Sequence, residues 1–416
     1  MPSVSNFMTI FALLAAANVV TADLGAAVRK KAALSSSAAA PPLPFQAPLN
    51  GPLVIPLAHV SESVPTATGN IESSFYLGTL SVGHPLQKLK VMFDTASGSV
   101  IVPHRACKSE ACLSHKRYSP WESVTAMDVR SDGEPVVNNT RFAPGNSMRD
   151  GAMIGFTHAD LGEGNVHAVL VRDGVCLSNG VGESCVDMSV LAAVQLDDTP
   201  FKDMPSDAIV GLGLESLTLT PLCSFLGRLF EGSSNVVPMF GMALHPLGGE
   251  LYLGGYNAAR TAAPVTWLPI DHPEAGYWQV ALQAVRVGNR TVDACASGCH
   301  AVVDTAASRL GVQASRLPSL QAALTTMAGP RGACFGPELH FDLGDITITL
   351  QPEDYTDDIC KTQLGNLALE EPEFVGVYTF GEKVLRRYYA AFDWEKKRVG
   401  FAPARHATEE DNLIVA

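Results

Sequence analysis

Two well-separated stretches of the chain share one pattern, an apolar strand that runs directly into Asp-Thr-Ala. The first reads Val91-Met92-Phe93-Asp94-Thr95-Ala96-Ser97-Gly98-Ser99 and resumes as the apolar Val100-Ile101-Val102-Pro103. The second reads Ala301-Val302-Val303-Asp304-Thr305-Ala306-Ala307-Ser308-Arg309-Leu310. A carboxylate at the end of an apolar strand is costly inside a core unless it is hydrogen-bonded or paired. One such Asp is readily explained as a capped turn. Two in matching frames make an incidental origin of that kind much harder to sustain.

The remaining sequence agrees with a two-part β protein. At 416 residues the chain is long enough for two lobes with their own cores, and an apolar content of 47% excludes disorder as its overall state. From 76 to 255, short apolar runs alternate with turns rich in Gly, Pro, Asn and Asp, without a sustained helical period, which predicts an all-β fold. Short helices are expected only at 222–230 and 317–326. A formal net charge of -13 excludes nucleic acid as a partner, because phosphate binding needs a basic surface. Residues 7–20 are apolar and followed by Thr21-Ala22, which reads as a secretory signal cleaved after Ala22. That run is too short to span a bilayer and no second one follows, so no membrane span is expected once the signal is removed. There is no His-Glu-X-X-His, no Gly-X-Ser-X-Gly and no phosphate-binding Gly-Lys-Ser/Thr loop. The eleven His residues form no cluster along the sequence, and neither a metal nor a cofactor is expected.

The Asp-Thr-Ala pair resembles the Asp-Thr-Gly loops of the pepsin-like aspartic proteases. Further segments extend the resemblance in order from about residue 70 to 405. They are Phe75-Tyr76-Leu77-Gly78-Thr79-Leu80, Ser206-Asp207-Ala208-Ile209-Val210-Gly211-Leu212-Gly213, Leu251-Tyr252-Leu253-Gly254-Gly255, Tyr277-Trp278-Gln279-Val280, Thr379-Phe380-Gly381 and Arg387-Tyr388-Tyr389-Ala390-Ala391-Phe392-Asp393. The resemblance implies a bilobal pepsin-like fold of two related β-barrel-like lobes around a cleft. It divides the chain into a signal peptide (1–22), a flexible linker with a short pro-segment (23–69), an N-terminal lobe with a flap (70–255), a C-terminal lobe (256–405) and a tail (406–416). It further implies an aspartic endopeptidase of the secretory or endolysosomal route, acting on peptide or protein substrates as a monomer.

By the same resemblance Asp94 and Asp304 are the catalytic pair, Thr95 and Thr305 cross-link their loops, and Ser97 hydrogen-bonds Asp94. The resemblance pairs Cys107 with Cys112, Cys295 with Cys299, and Cys334 with Cys360. Cys176 and Cys185 bracket one of two expected insertions, 174–185 and 121–139, and would close a private loop. Cys223 is then left over, buried or available to a partner. Zinc held by Cys107, Cys112 and His115 is the competing reading, but it lacks a fourth ligand and suits an oxidising compartment poorly. Asn138 and Asn289 lie in Asn-X-Thr sequons and are expected glycosylation sites. Residues 53–57 resemble the opening strand of a protease pro-segment, yet no Lys or Arg lies between them and Tyr76, so a basic side chain blocking the pair is not expected there.

Five departures from the family pattern bear on activity. Ala96 and Ala306 replace the Gly of both triplets, which adds a methyl group that is strained wherever the backbone needs a positive φ. Ala307 stands where the family has a hydroxyl, so Asp304 is expected to hold its proton to higher pH. The flap is expected at 140–156, with Phe142 in place of its Tyr and Ile101 in place of that Tyr's Trp partner. The alternative to a working protease is a catalytically weak or inactive pepsin-like protein that captures peptides.

Overall fold

The computed structural model describes residues 49–66, 69–136, 151–158, 161–178, 183–233, 235–367 and 376–405. The expected signal, most of the expected linker and the tail lie outside these residues, as do Asn138 and Phe142.

Each Asp-Thr-Ala stretch is set in the same four-strand unit. In the first, Gln87–Asp94 ends in four buried residues and pairs in parallel with the wholly buried Ala208–Gly211, Asp94 standing opposite Gly211. On its other side Ala208–Gly211 pairs antiparallel with Val100–Pro103, which takes a further parallel neighbour in Glu183–Leu196. In the second, Cys299–Val303 pairs in parallel with Val377–Phe380, and that strand pairs antiparallel with Leu310–Gln313. Leu364–Leu367 joins in parallel on the outside. Strands covered on both faces need no polar alternation, which is why these runs are continuously apolar.

Where a third strand passes behind each Asp loop, backbone meets backbone. A Cβ on Gly211 would lie 2.5 Å from the Gly98 carbonyl carbon and the Ser99 nitrogen. A Cβ on Gly381 would lie 2.4 Å from the Arg309 oxygen and 2.5 Å from that of Ala307. Both glycines hold corresponding places in the two units and are required by contact distance alone.

A shared sheet joins the two halves. Thr266–Pro269, Arg398–Pro403, Tyr388–Asp393, Met239–His245, Gly248–Leu253 and the first part of Leu53–Thr66 lie side by side in that order. All six residues of Tyr388–Asp393 are buried. Over this sheet the Phe240 and Phe392 rings stack at 4.4 Å, and Trp278 meets both edge-on. This sheet takes strands from both sides of the boundary expected at 255/256.

Leu53–Thr66 is one strand, pairing with Gly248–Leu253 through 53–57 and with Gly69–Val82 through 58–66. Leu53, Ile55 and Leu57 are buried, so the stretch expected as a pro-segment strand is part of the sheet. The insertion expected at 174–185 takes the form of the far end of a hairpin between Gly162–Ser178 and Glu183–Leu196. Cys176 and Cys185 stand directly opposite each other in it and are bonded.

The other three disulfides, Cys107–Cys112, Cys295–Cys299 and Cys334–Cys360, form as expected, which removes the zinc reading of Cys107 and Cys112. Cys223 is buried, its thiol pushed up to about 11 by that burial and its sulfur 3.7 Å from the Thr220 hydroxyl, so it is closed to a partner. Helices form at Phe225–Glu231, capped by the Ser224 side chain, and at Leu317–Ala323. Among the described residues no helix is long and apolar enough to cross a membrane.

Gly211→Ala and Gly381→Ala are each expected to lower stability by about 3 kcal/mol, since the added methyl must displace backbone. Gly151→Ala, where the added methyl would meet nothing within 4 Å and the φ is not positive, is expected to change stability by about 0.5 kcal/mol or less. Urea unfolding of the three variants measures the contrast, and equal losses would contradict it.

Candidate active site

The two Asp loops are tied face to face by a reciprocal set of hydrogen bonds. The Thr95 hydroxyl donates to the Val303 carbonyl at 2.7 Å and accepts from the Thr305 N–H at 3.0 Å. The Thr305 hydroxyl donates to the Phe93 carbonyl at 2.7 Å and accepts from the Thr95 N–H at 3.2 Å. Each hydroxyl thus satisfies the carbonyl just before the opposite Asp, and all four groups are buried, where an unmade bond would be expensive. The arrangement joins the two loops at the residues immediately before and after Asp94 and Asp304.

Backbone N–H groups then hold each carboxylate. Asp94 Oδ1 accepts from Ala96 at 2.7 Å, while Asp304 Oδ1 accepts from Ala306 at 2.9 Å and Ala307 at 3.2 Å. The two alanines keep the donors that the expected glycines would supply. The strain foreseen for them does not arise. Among the described residues the positive-φ positions other than glycine are His272, Cys295, Cys360 and Lys397, and neither Ala96 nor Ala306 is one of them. The Ala306 methyl joins an apolar cluster that contains Phe75, Ile101 and Phe156.

The two carboxylates differ in surroundings. Asp94 is 3% exposed and Asp304 half-buried. Burial raises the Asp94 pKa above the 3.8 of an ordinary aspartic acid, opposed by the N–H groups of Ala96 and Ser97 and by the Ser97 hydroxyl. The Ser97 oxygen is buried without an aligned hydrogen-bond partner, so it acts on Asp94 through proximity and not through a formed bond. The Ala307 N–H, which the sequence did not bring to notice, fills part of the role of the missing hydroxyl beside Asp304.

Tyr277 is a site residue that sequence reasoning did not single out. Its phenol is 3% exposed and pushed well above its ordinary pKa, first by burial and then by the negative charges of Asp94 and Asp304 together. It is placed by neighbours that reach the opposite lobe. The Trp278 indole donates to the Leu212 carbonyl at 2.7 Å, and the Leu212 N–H donates to the Asp94 carbonyl at 2.7 Å. The Leu214 N–H donates to Gly276 at 2.9 Å. Across the pair, Asp304 N–H donates to Phe380 and Glu382 N–H to Ala307. Glu382, 2% exposed, accepts from the Tyr76 hydroxyl at 3.0 Å and lies 3.4 Å from Arg386.

The hairpin following the first unit pairs Gly151–His158 with Gly162–Ser178 and turns beyond His158. The flap expected at 140–156 overlaps this hairpin over 151–156, its earlier part lying outside the described residues, and Phe156 packs 5.2 Å from Phe201. Phe142, expected as the aromatic residue of the flap, lies outside the described residues. Ile101 is buried in its strand. Asn289 is exposed in the turn between Ala284–Val287 and Arg290–Asp293.

A family model described as "Eukaryotic aspartyl protease" matches residues 75–404. The chain belongs to that family of pepsin-like aspartic proteases. Cathepsin E of Oryctolagus cuniculus is 30% identical to it over 348 residues, covering 79% of this chain and 80% of the relative. Cathepsin E of Mus musculus is 30% identical over 347 residues with the same coverage of both chains. Pepsin-2B of Gadus morhua is 26% identical over 345 residues, covering 79% of this chain and 96% of the relative.

Thr305→Val keeps the shape of the side chain but strands the Phe93 carbonyl and the Thr95 N–H. A loss of about 3 kcal/mol is expected in urea unfolding, against about 1 kcal/mol for Thr305→Ser, which keeps the hydroxyl. Equal effects of the two substitutions would show that the hydroxyl does not hold the loops.

Proposed function

We propose that this chain is an aspartic endopeptidase in which Asp94 and Asp304 activate a water molecule against a peptide carbonyl. The observation that carries this reading is the Thr95–Thr305 cross-link, which presents two N–H-cradled carboxylates together at the meeting of two lobes. Like charges so placed do not both ionise readily, and the pair titrates as a unit. Burial favours the proton on Asp94, so Asp304, more exposed and holding two N–H groups on Oδ1, is the charged member. The expectation drawn from Ala307, that Asp304 holds its proton to higher pH, favours the opposite assignment, and the burial of Asp94 outweighs it in this proposal.

In the first step Asp304 takes a proton from the water as its oxygen attacks the scissile carbonyl carbon. Asp94 donates its proton to the carbonyl oxygen where charge develops. The resulting tetrahedral diol collapses when a proton reaches the amide nitrogen and the C–N bond breaks, returning one proton to the pair. The Tyr277 ring narrows the solvent around the carboxylates, which strengthens their interaction with the reacting groups. Four disulfides suit an oxidising compartment, in keeping with the signal read at 1–22 and with a secretory or endolysosomal setting. Asn289, exposed in its turn, and Asn138 are the proposed glycan acceptors.

A peptide-library digest between roughly pH 3 and 6, where a shared-proton pair is singly ionised, is expected to show internal cleavage that pepstatin blocks. Asp94→Asn and Asp304→Asn are each expected to reduce kcat by on the order of 1000-fold or more. Peptides that bind but remain whole with the unmodified protein at every pH would establish the peptide-capturing alternative instead.

Ser97→Ala removes a hydroxyl that favours the charged form of Asp94, so the Asp94 pKa rises further. The acid member then keeps its proton to higher pH, and the alkaline limb of kcat/KM is expected to move upward by about half a unit to one unit. A downward shift would place the working proton elsewhere.

A further inference from the structure

The eleven His residues are scattered along the sequence, but pairing of Gln279–Leu282 with Cys299–Val303 sets Ala281 opposite His300 and brings that ring to the segment 271–276. There Asp271, His272 and His300 turn one donor atom each toward a common point, all within 4.8 Å of one another. Asp271 Oδ2 is 2.9 Å from His300 Nδ1, and Asp271 Oδ1 is 3.7 Å from His272 Nε2. The geometry points to a site for a divalent transition ion of the zinc type, held by Asp271, His272 and His300.

The details separate this site from an ordinary ion pair. His300 Nδ1 is buried and, although close to Asp271, has no aligned hydrogen bond, so the contact does not satisfy it. His272 is held by its other nitrogen, with Nδ1 3.1 Å from Glu274 Oε1. A carboxylate on the far nitrogen fixes the ring and leaves Nε2 with a free lone pair, which is how imidazole ligands are commonly oriented toward a metal. Two imidazoles and one carboxylate are a donor set suited to Zn²⁺, with a fourth position open to water. Ligands on such an ion stand about 3.4 Å apart, so the three donors need only small rotations to close on it.

The scaffold is firm on both sides. The Asp271 N–H donates to Gln279 at 2.9 Å, the Ala275 N–H to His272 at 3.0 Å, and the His300 N–H to Gly376 at 3.0 Å. His272 itself sits at φ 50, a left-handed conformation uncommon for a non-glycine residue. The second donor cluster among the described residues, Asp293 with Cys295 and Cys299, cannot serve in the same way because its sulfurs are joined in a disulfide. The proposed site also lies where an ion would matter. His300 is in the strand that ends at Val303, next to Asp304, and 271–276 leads directly into Tyr277. A bound ion would clamp together the two segments that position those residues.

The test is a titration of the chelator-treated full-length protein with ZnCl₂ at pH 7.5, in competition with a chromophoric chelator. One stoichiometric equivalent is expected, with affinity at least tenfold weaker in His272→Asn and in His300→Gln and unchanged in His115→Asn. Asn tolerates the left-handed backbone at 272, and that ring is 59% exposed, so this variant remains folded and carries the test even where His300→Gln does not. Thermal unfolding is expected to rise with Zn²⁺ in the unmodified protein and much less in His272→Asn. Absence of a stoichiometric equivalent, or equal affinity in His272→Asn and the unmodified protein, would overturn the proposal. Neither result depends on proteolytic activity.

Discussion

Two threonine hydroxyls, each shared between a carbonyl and an N–H of the opposite loop, are the joint on which the candidate site depends. Carboxylates placed at the ends of apolar strands have every electrostatic reason to remain apart and in water. What brings them together is neutral. Buried hydrogen bonds are worth little in net terms but expensive to break, and the exchange between Thr95 and Thr305 satisfies its four groups at once. The loops are thereby specified in position without any contribution from the charges themselves. That separation of roles leaves the carboxylates available for chemistry.

The same economy explains how the chain tolerates Ala where its family has Gly. The loop requires an N–H at 96 and at 306, directed at the adjacent carboxylate, and any residue with a negative φ supplies one. The methyl group of Ala306 goes into an apolar cluster. The glycines that cannot be replaced are those further away, Gly211 and Gly381, where one strand crosses directly behind each loop. Departure from a motif is therefore a matter of which atom the motif requires, and here that atom is present.

The sequence disclosed what repeats and what is local. The paired Asp-Thr-Ala runs, the all-β patterning and the short helices, expected at 222–230 and 317–326 and formed at 225–231 and 317–323, were legible because each rests on neighbours in the chain or on a pattern met twice, while three cysteine pairs came from the family resemblance and Cys176–Cys185 from bracketing an expected insertion. Three features were not legible in full. The strand at 53–66 was legible only over 53–57, as a resemblance to a pro-segment strand, since its partners near 250 are unrelated to it in local sequence and only sheet pairing reveals them. The register of the hairpin that joins Gly151–His158 to the long strand after it is set by cross-strand pairing, which no local pattern in the sequence specifies. Tyr277 and the Asp271–His272–His300 group draw their meaning from charges and rings brought close by the fold, and nothing in linear spacing could announce them.

The shared sheet draws strands from near residue 53, from the middle of the chain and from near residue 403. During synthesis, therefore, the first half of the protein emerges with an open underside that its own residues cannot close. The last two strands must leave the ribosome before Met239–His245 is covered on its outer side. Closure of so many distant pairings is slow, and until it occurs an apolar edge remains available to chaperones or to another chain. Loss of only the final twenty or so described residues would leave both carboxylate loops encoded and yet deprive the molecule of the floor on which its two halves rest.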